Sequence, residues 1–124
     1  MAKKTKKDSA REERINNEIL VDAHDAEEQS MGWYYYLAEK ISFPFTAICK
    51  SKRAISPLKV GDEIEPYAMA PENECNHEMF VMMPWEKDGL AVPLSQLKVV
   101  HGDDETKEAV SDWNYWVDQG HIFG

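Results

Sequence analysis

The chain has 124 residues, 43% hydrophobic and 30% charged, with a formal net charge of -9 at pH 7. That is the length of one domain, with enough apolar material for a core, and so acidic a body repels nucleic acid and anionic lipid at long range. No apolar run approaches the roughly 18 residues of a membrane span, and no apolar stretch follows the Lys-rich start as it would in a secretory signal.

The charge is unevenly spread. Residues 1–14 carry six Lys or Arg against three acids, leaving eight basic and twenty acidic residues in 15–124. Residues 1–10 read as a disordered, solubilising, Lys-rich arm, and 11–124 as one α+β domain. A cytosolic protein is expected. From about Arg11 to Lys40 the spacing predicts one long helix. Ile15, Ile19, Ala23, Ala26, Trp33 and Leu37 recur at intervals that make an apolar stripe, and the stretch contains no Pro. Ser9 is the candidate cap, with Glu12 as its capping-box partner. Gly32 is where such a helix would kink or divide, and Phe43-Pro44-Phe45 ends it. Four consecutive aromatics, Trp33 to Tyr36, cannot share one helix face. Packing against other elements is their ordinary role; a stacking platform for a ligand or partner is the other.

The middle of the chain reads as strand. "FTAICK" and "DEIEPY" alternate, and "EMFVMM" and "LAVPL" are apolar runs joined through Asp88-Gly89, a strong hairpin signal. "PLSQL" reads as a short helical turn before a last strand, "KVV". Five short strands in about 60 residues suggest a small SH3-like barrel. A C-terminal helix follows, capped by Asp103 or Asp104 and ended by Gly120. The expected fold is therefore α+β: a long N-terminal helix packed on an SH3-like five-stranded β-barrel, with a C-terminal helix. Two cysteines, Cys49 and Cys75, are too few for a disulfide framework and read as free, buried thiols.

The strongest chemical anomaly is residues 62–78. Asp62, Glu63, Glu65, Glu72, Glu74 and Glu78 fall there without one Lys or Arg, directly after a segment, 40–59, with five bases and no acid. Mutual neutralisation on a solvated surface is the ordinary reading. The functional one is a set of oxygen ligands for a hard divalent cation, since Ca²⁺ takes six to eight oxygens. Glu39 sits in the last turn of the predicted helix, where the dipole disfavours an acid by about 0.3–1 kcal/mol and a cation would reverse the penalty. Glu18, Asp22 and Asp25 share a helix face and form a fallback cluster. The EF-hand spacing is absent: starting from Asp25, position six is Ser30 rather than Gly. Cys75 and His77 are too closely spaced for a zinc pair, and no nucleotide-binding or nucleophile motif occurs.

"REERINNEILVDAHDAEEQSMGWYYYLAEKISFPF", "SPLKVGDEIE", "HEMFV", "LAVPLSQL" and "DWNYWVDQGHIF" resemble the small calcium-binding proteins of the cyanobacterial CcbP type, over about Arg11 to Phe123. The resemblance implies calcium binding without EF-hands on an acidic surface. The ligands are chosen from charge: Glu39, Asp62, Glu63, Glu72 and Glu74, serving a non-catalytic buffer or sensor of micromolar to millimolar affinity. The alternative is an SH3-like interaction module that holds a protein partner in a groove of Trp33 to Tyr36 with Trp85. Exposure of those rings separates the two.

Overall fold

The structure, a computed structural model, describes residues 8–21, 23–121 and 123. Asp22 and the start of the Lys-rich arm, 1–7, lie outside the described residues. The described chain begins with helix α1 (Ser9–Arg14), a wide turn (Ile15–Ile19) and helix α2 (Ala26–Lys40). Six strands follow: β1 (Thr46–Cys49), β2 (Glu63–Ile64), β3 (Ala68–Met69), β4 (Phe80–Met83), β5 (Leu90–Pro93) and β6 (Leu97–His101). Helix α3 (Asp104–Asp118) closes the chain.

The single long N-terminal helix is not present. The chain leaves helical geometry after Ile19, where the Leu20 N–H reaches back to the Ile15 carbonyl at 2.8 Å. It restarts at Asp25, whose carboxylate accepts the Glu28 N–H at 2.8 Å. A capping aspartate satisfies an orphan donor of the first turn, so Asp25 begins a second helix instead of continuing the first. Gly32 neither kinks nor ends α2. A Cβ there would stand 2.5 Å from the Ile19 carbonyl oxygen, so the absent side chain lets α2 lie directly on the wide turn. At the chain's start Asp8, not Ser9, is the cap, accepting the Arg11 N–H at 3.0 Å.

The five-stranded barrel is not present either. The strands form two three-stranded antiparallel sheets, in the orders β2-β1-β6 and β3-β4-β5. Pro66 falls between the two-residue strands β2 and β3. Proline cannot donate to a ladder, and here the chain crosses from one sheet to the other instead of extending a shared strand. The predicted β4–β5 hairpin forms, with Gly89 at φ 78°, as do the short turn at Leu94–Gln96 and α3 capped by Asp103.

The four aromatics of α2 diverge. Trp33 is fully buried, with its ring centroid 5.1 Å from Trp113 and 5.5 Å from Trp116 of α3. The Tyr34 hydroxyl donates to the Ala70 carbonyl (2.8 Å), the Tyr35 hydroxyl to Glu72 Oε2 (3.0 Å) and the Tyr36 hydroxyl to Asp112 Oδ2 (3.1 Å). Successive residues turn about 100° around a helix, so one short run ties α2 to α3, to the second sheet and to the surface.

Candidate metal centre

The five candidate carboxylates do not converge. Glu39 is exposed in the last turn of α2, beside Lys40. Asp62 closes the turn before β2, its Oδ2 accepting the Lys59 N–H at 2.8 Å. Glu63 is exposed on β2, opposite Ile48. Glu72 and Glu74 lie in a helical turn (Glu72–Glu74) between β3 and β4, in the other sheet. Among the described residues no three His, Cys, Asp or Glu come close enough together to hold a metal ion. The acidic segment is neutralised by the basic one only at Glu78, whose Oε1 pairs with Arg53 at 2.6 Å. Asp25 of the fallback cluster is spent as a helix cap.

One of the candidates is held in place. The Tyr35 hydroxyl donates to Glu72, and that bond to a negative carboxylate raises the Tyr35 pKa. Glu72 borders a hollow of about 60 Å³ between α2 and the 72–74 turn, which Glu27, Ser30, Tyr34 and Asn76 share on its polar side and Met31 and Cys75 complete. Asn76 donates its amide to the Asn73 carbonyl at 3.1 Å, leaving its side-chain oxygen as an acceptor. The hollow therefore offers two carboxylates, a carboxamide oxygen and hydroxyls, a donor set suited to a hard cation. Two features limit it. Two carboxylates leave most of six to eight positions to water and carbonyls, and Glu27 lies in the first turn of α2, where the positive dipole end opposes a cation. Neither Glu27 nor Asn76 stands out in the sequence. Glu27 looks like an ordinary first-turn acid, and only the packing of α2 on the 72–74 turn brings it to Glu72.

Soft-metal and thiol chemistry are poorly served. Cys75 is buried and His77 is exposed, and burial pushes the Cys75 thiol pKa up, away from the reactive thiolate. Cys49 and Cys75 are both free and buried. The aromatic groove of an interaction module is missing: Trp33 is fully buried and Tyr36 nearly so, while Tyr35 and Trp85 are 53% and 44% exposed. No described helix is long and apolar enough to cross a membrane.

The model of the CcbP family, described as calcium binding, matches residues 13–117. The chain belongs to this calcium-binding family. Its structure is similar to the crystal structure of Anabaena CcbP, with a TM-score of 0.82 and 39% identity over 98% of each chain. It is equally similar, at TM-score 0.82 and 39% identity, to a calcium binding protein in the calcium-binding form, over 94% of this chain and 96% of that one. No curated protein matches the sequence. Ca²⁺ is thus the ligand of the family to which this chain belongs.

Proposed function

We propose that this CcbP-family chain binds Ca²⁺ on its acidic surface as a buffer or sensor, without catalysis. The Glu27–Glu72 hollow is its principal contact, and the exposed Glu39, Glu63 and Glu74 with the half-buried Asp62 add attraction through water. The observation that carries this reading is the Tyr35–Glu72 hydrogen bond at 3.0 Å, which orients the carboxylate of a residue bordering the hollow. Fixing a ligand in advance lowers the entropy cost of binding. With so few carboxylates, the affinity belongs at the weak end of the calcium range, about 10⁻⁵ to 10⁻³ M.

Calorimetric titration of calcium into the full chain and two double variants tests it. Glu27→Gln with Glu72→Gln should weaken binding about tenfold or more, one lost carboxylate interaction being on the order of 1.4 kcal/mol. Asp62→Asn with Glu63→Gln should change it two- to threefold at most, roughly the loss of a screened surface attraction. The reverse ranking would move the site to the β2 edge. A full chain that takes up no calcium at millimolar concentration would remove the proposal.

A further inference from the structure

Among the described residues, three lysines gather around one cleft. A cleft of about 420 Å³ opens between α3 and the β1–β6 edge, and Lys50, Lys98 and Lys107 stand around it. All three lysines are exposed, and among the described residues none makes an ion pair. Ile48 of β1 faces Lys98 of β6, so Lys50, two residues beyond Ile48, lies diagonal to Lys98 on the same side of the strand pair. Lys107 comes from α3, where residues 107, 111, 114 and 118 follow one helix face. Three lysines, one just past β1, one on β6 and one on α3, thus converge on one opening in a chain whose net charge is -9.

The cleft is not merely a charged rim. Val99, Val110 and Tyr115 give it an apolar floor. Arg11 closes one end, held by Ser111 Oγ at 2.7 Å and the Ser111 carbonyl at 3.2 Å, and Asp118 is the lining's one carboxylate. Asn114 donates its amide to the Leu97 carbonyl at 3.0 Å, while its Oδ1 is buried without a donor. That oxygen is closed to solvent even with the cleft empty, so it belongs to the wall, and a ligand is held by the rim and the floor. The volume lies within the usual range for small-molecule sites, about 300–1,000 Å³.

We propose that this cleft is a second binding site, for a small organic phosphate monoester, independent of the calcium reading. Unpaired lysines hold the phosphate at the mouth and Val99, Val110 and Tyr115 pack against its organic part. A monoester is chosen over a monocarboxylate because three lysines without an ion pair match a charge near -2, about what a phosphate monoester carries at pH 7.

Phenyl phosphate, inorganic phosphate and phenol serve as probes, titrated into the full chain with a calcium chelator present and followed by amide chemical shifts. Phenyl phosphate should give saturable shifts at Lys50, Lys98, Ser111 and Asn114. Inorganic phosphate, lacking an apolar part, should bind several-fold more weakly, and phenol should not move these amides. Lys98→Glu with Lys107→Glu should lower phenyl phosphate affinity by about tenfold or more, with an unchanged amide spectrum elsewhere. Should that variant fail to fold, Lys98→Gln alone should still weaken binding and its salt dependence. No saturable shift, shifts centred elsewhere, equal affinity for inorganic phosphate, or undiminished binding by a folded lysine variant would each overturn the site. The calcium titration described above decides the other reading separately, because the two sites share no residue.

Discussion

Asp112 is completely buried and its charge is met from several sides. Arg14 grips both oxygens, Nε to Oδ2 at 3.0 Å and Nη2 to Oδ1 at 2.7 Å, the Tyr36 hydroxyl donates to Oδ2, and Arg11 Nε stands 3.3 Å from Oδ1. These groups come from α1, α2 and α3, so one carboxylate joins all three helices. Removing a single partner of a buried pair strands the other charge. Asp112→Ala should therefore cost about 3–5 kcal/mol in urea unfolding; a loss under about 1 kcal/mol would mean that water replaces the carboxylate. Tyr36 gives the network a pH signature. Burial first, and then the Asp112 charge, raises its pKa well above the ordinary 10.0. The folded state thus favours the neutral phenol. This contribution is fully present below the unfolded pKa near 10 and is lost as pH rises toward the folded one. Melting temperature should fall steeply above about pH 10, and less steeply in Tyr36→Phe. Parallel curves for the two proteins would assign the alkaline limb to other groups. None of this was legible in the sequence. Arg14, Tyr36 and Asp112 are far apart in the chain, and Asp112 resembles any polar residue of an amphipathic helix.

At the scale of elements, the sequence was clear where local chemistry decides and misleading where packing does. The β4–β5 hairpin was legible from Asp88-Gly89, and α3 from Asp103 and its apolar face. Asp103 accepts the Thr106 N–H at 2.8 Å and the Ser42 hydroxyl at 2.9 Å, and its pKa is lowered, by the Thr106 bonds first and then by Ser42. Asp103→Ala should lower the melting temperature, as the loss of a helix cap does. Because the folded pKa is depressed, the wild-type advantage should be present at neutral pH and vanish as pH falls through it. An equal deficit in strong acid would point to packing instead of the cap. The N-terminal stripe misled because Ile15, Ile19, Trp33 and Leu37 are all buried, as one helix would require, yet they reach the core from two segments. Asp25-Ala26-Glu27-Glu28 held the decisive signal, an aspartate cap that looked like part of an acidic face. Gly32 carried the other: it marks a close approach and not a break. Gly32→Ala must push α2 away from the Ile19 carbonyl and should destabilise by about 1–3 kcal/mol, despite alanine's better helix propensity. Stabilisation by this substitution would show that the wide turn yields freely.

Across the whole molecule, the two sheets and the helical layer set where an ion can act. Charge density in residues 62–78 was visible in the sequence, and so was the family it resembles. Where those acids sit was not, because the crossing at Pro66 leaves Asp62 and Glu63 at one sheet and Glu72 and Glu74 beside the other. The Glu27–Glu72 hollow spans α2 and the turn leading to β4, so an ion there would join the helical layer to the second sheet. An ion that binds only the folded chain stabilises it by mass action, about 2.7 kcal/mol at a hundredfold excess over Kd. For a domain of this size that is on the order of 10 °C in melting temperature. Screening of the acidic surface would also raise the melting temperature, but any salt supplies it, and magnesium nearly as well as calcium. A bound ion is distinguished by a calcium effect that exceeds magnesium's at equal ionic strength and shrinks in Glu27→Gln/Glu72→Gln. Magnesium is the sharper control because it gives up its water reluctantly and demands near-octahedral geometry, so it gains less than calcium by entering a hollow of about 60 Å³. Equal shifts from both ions, unchanged in the variant, would reduce calcium's action on this protein to relief of its net charge.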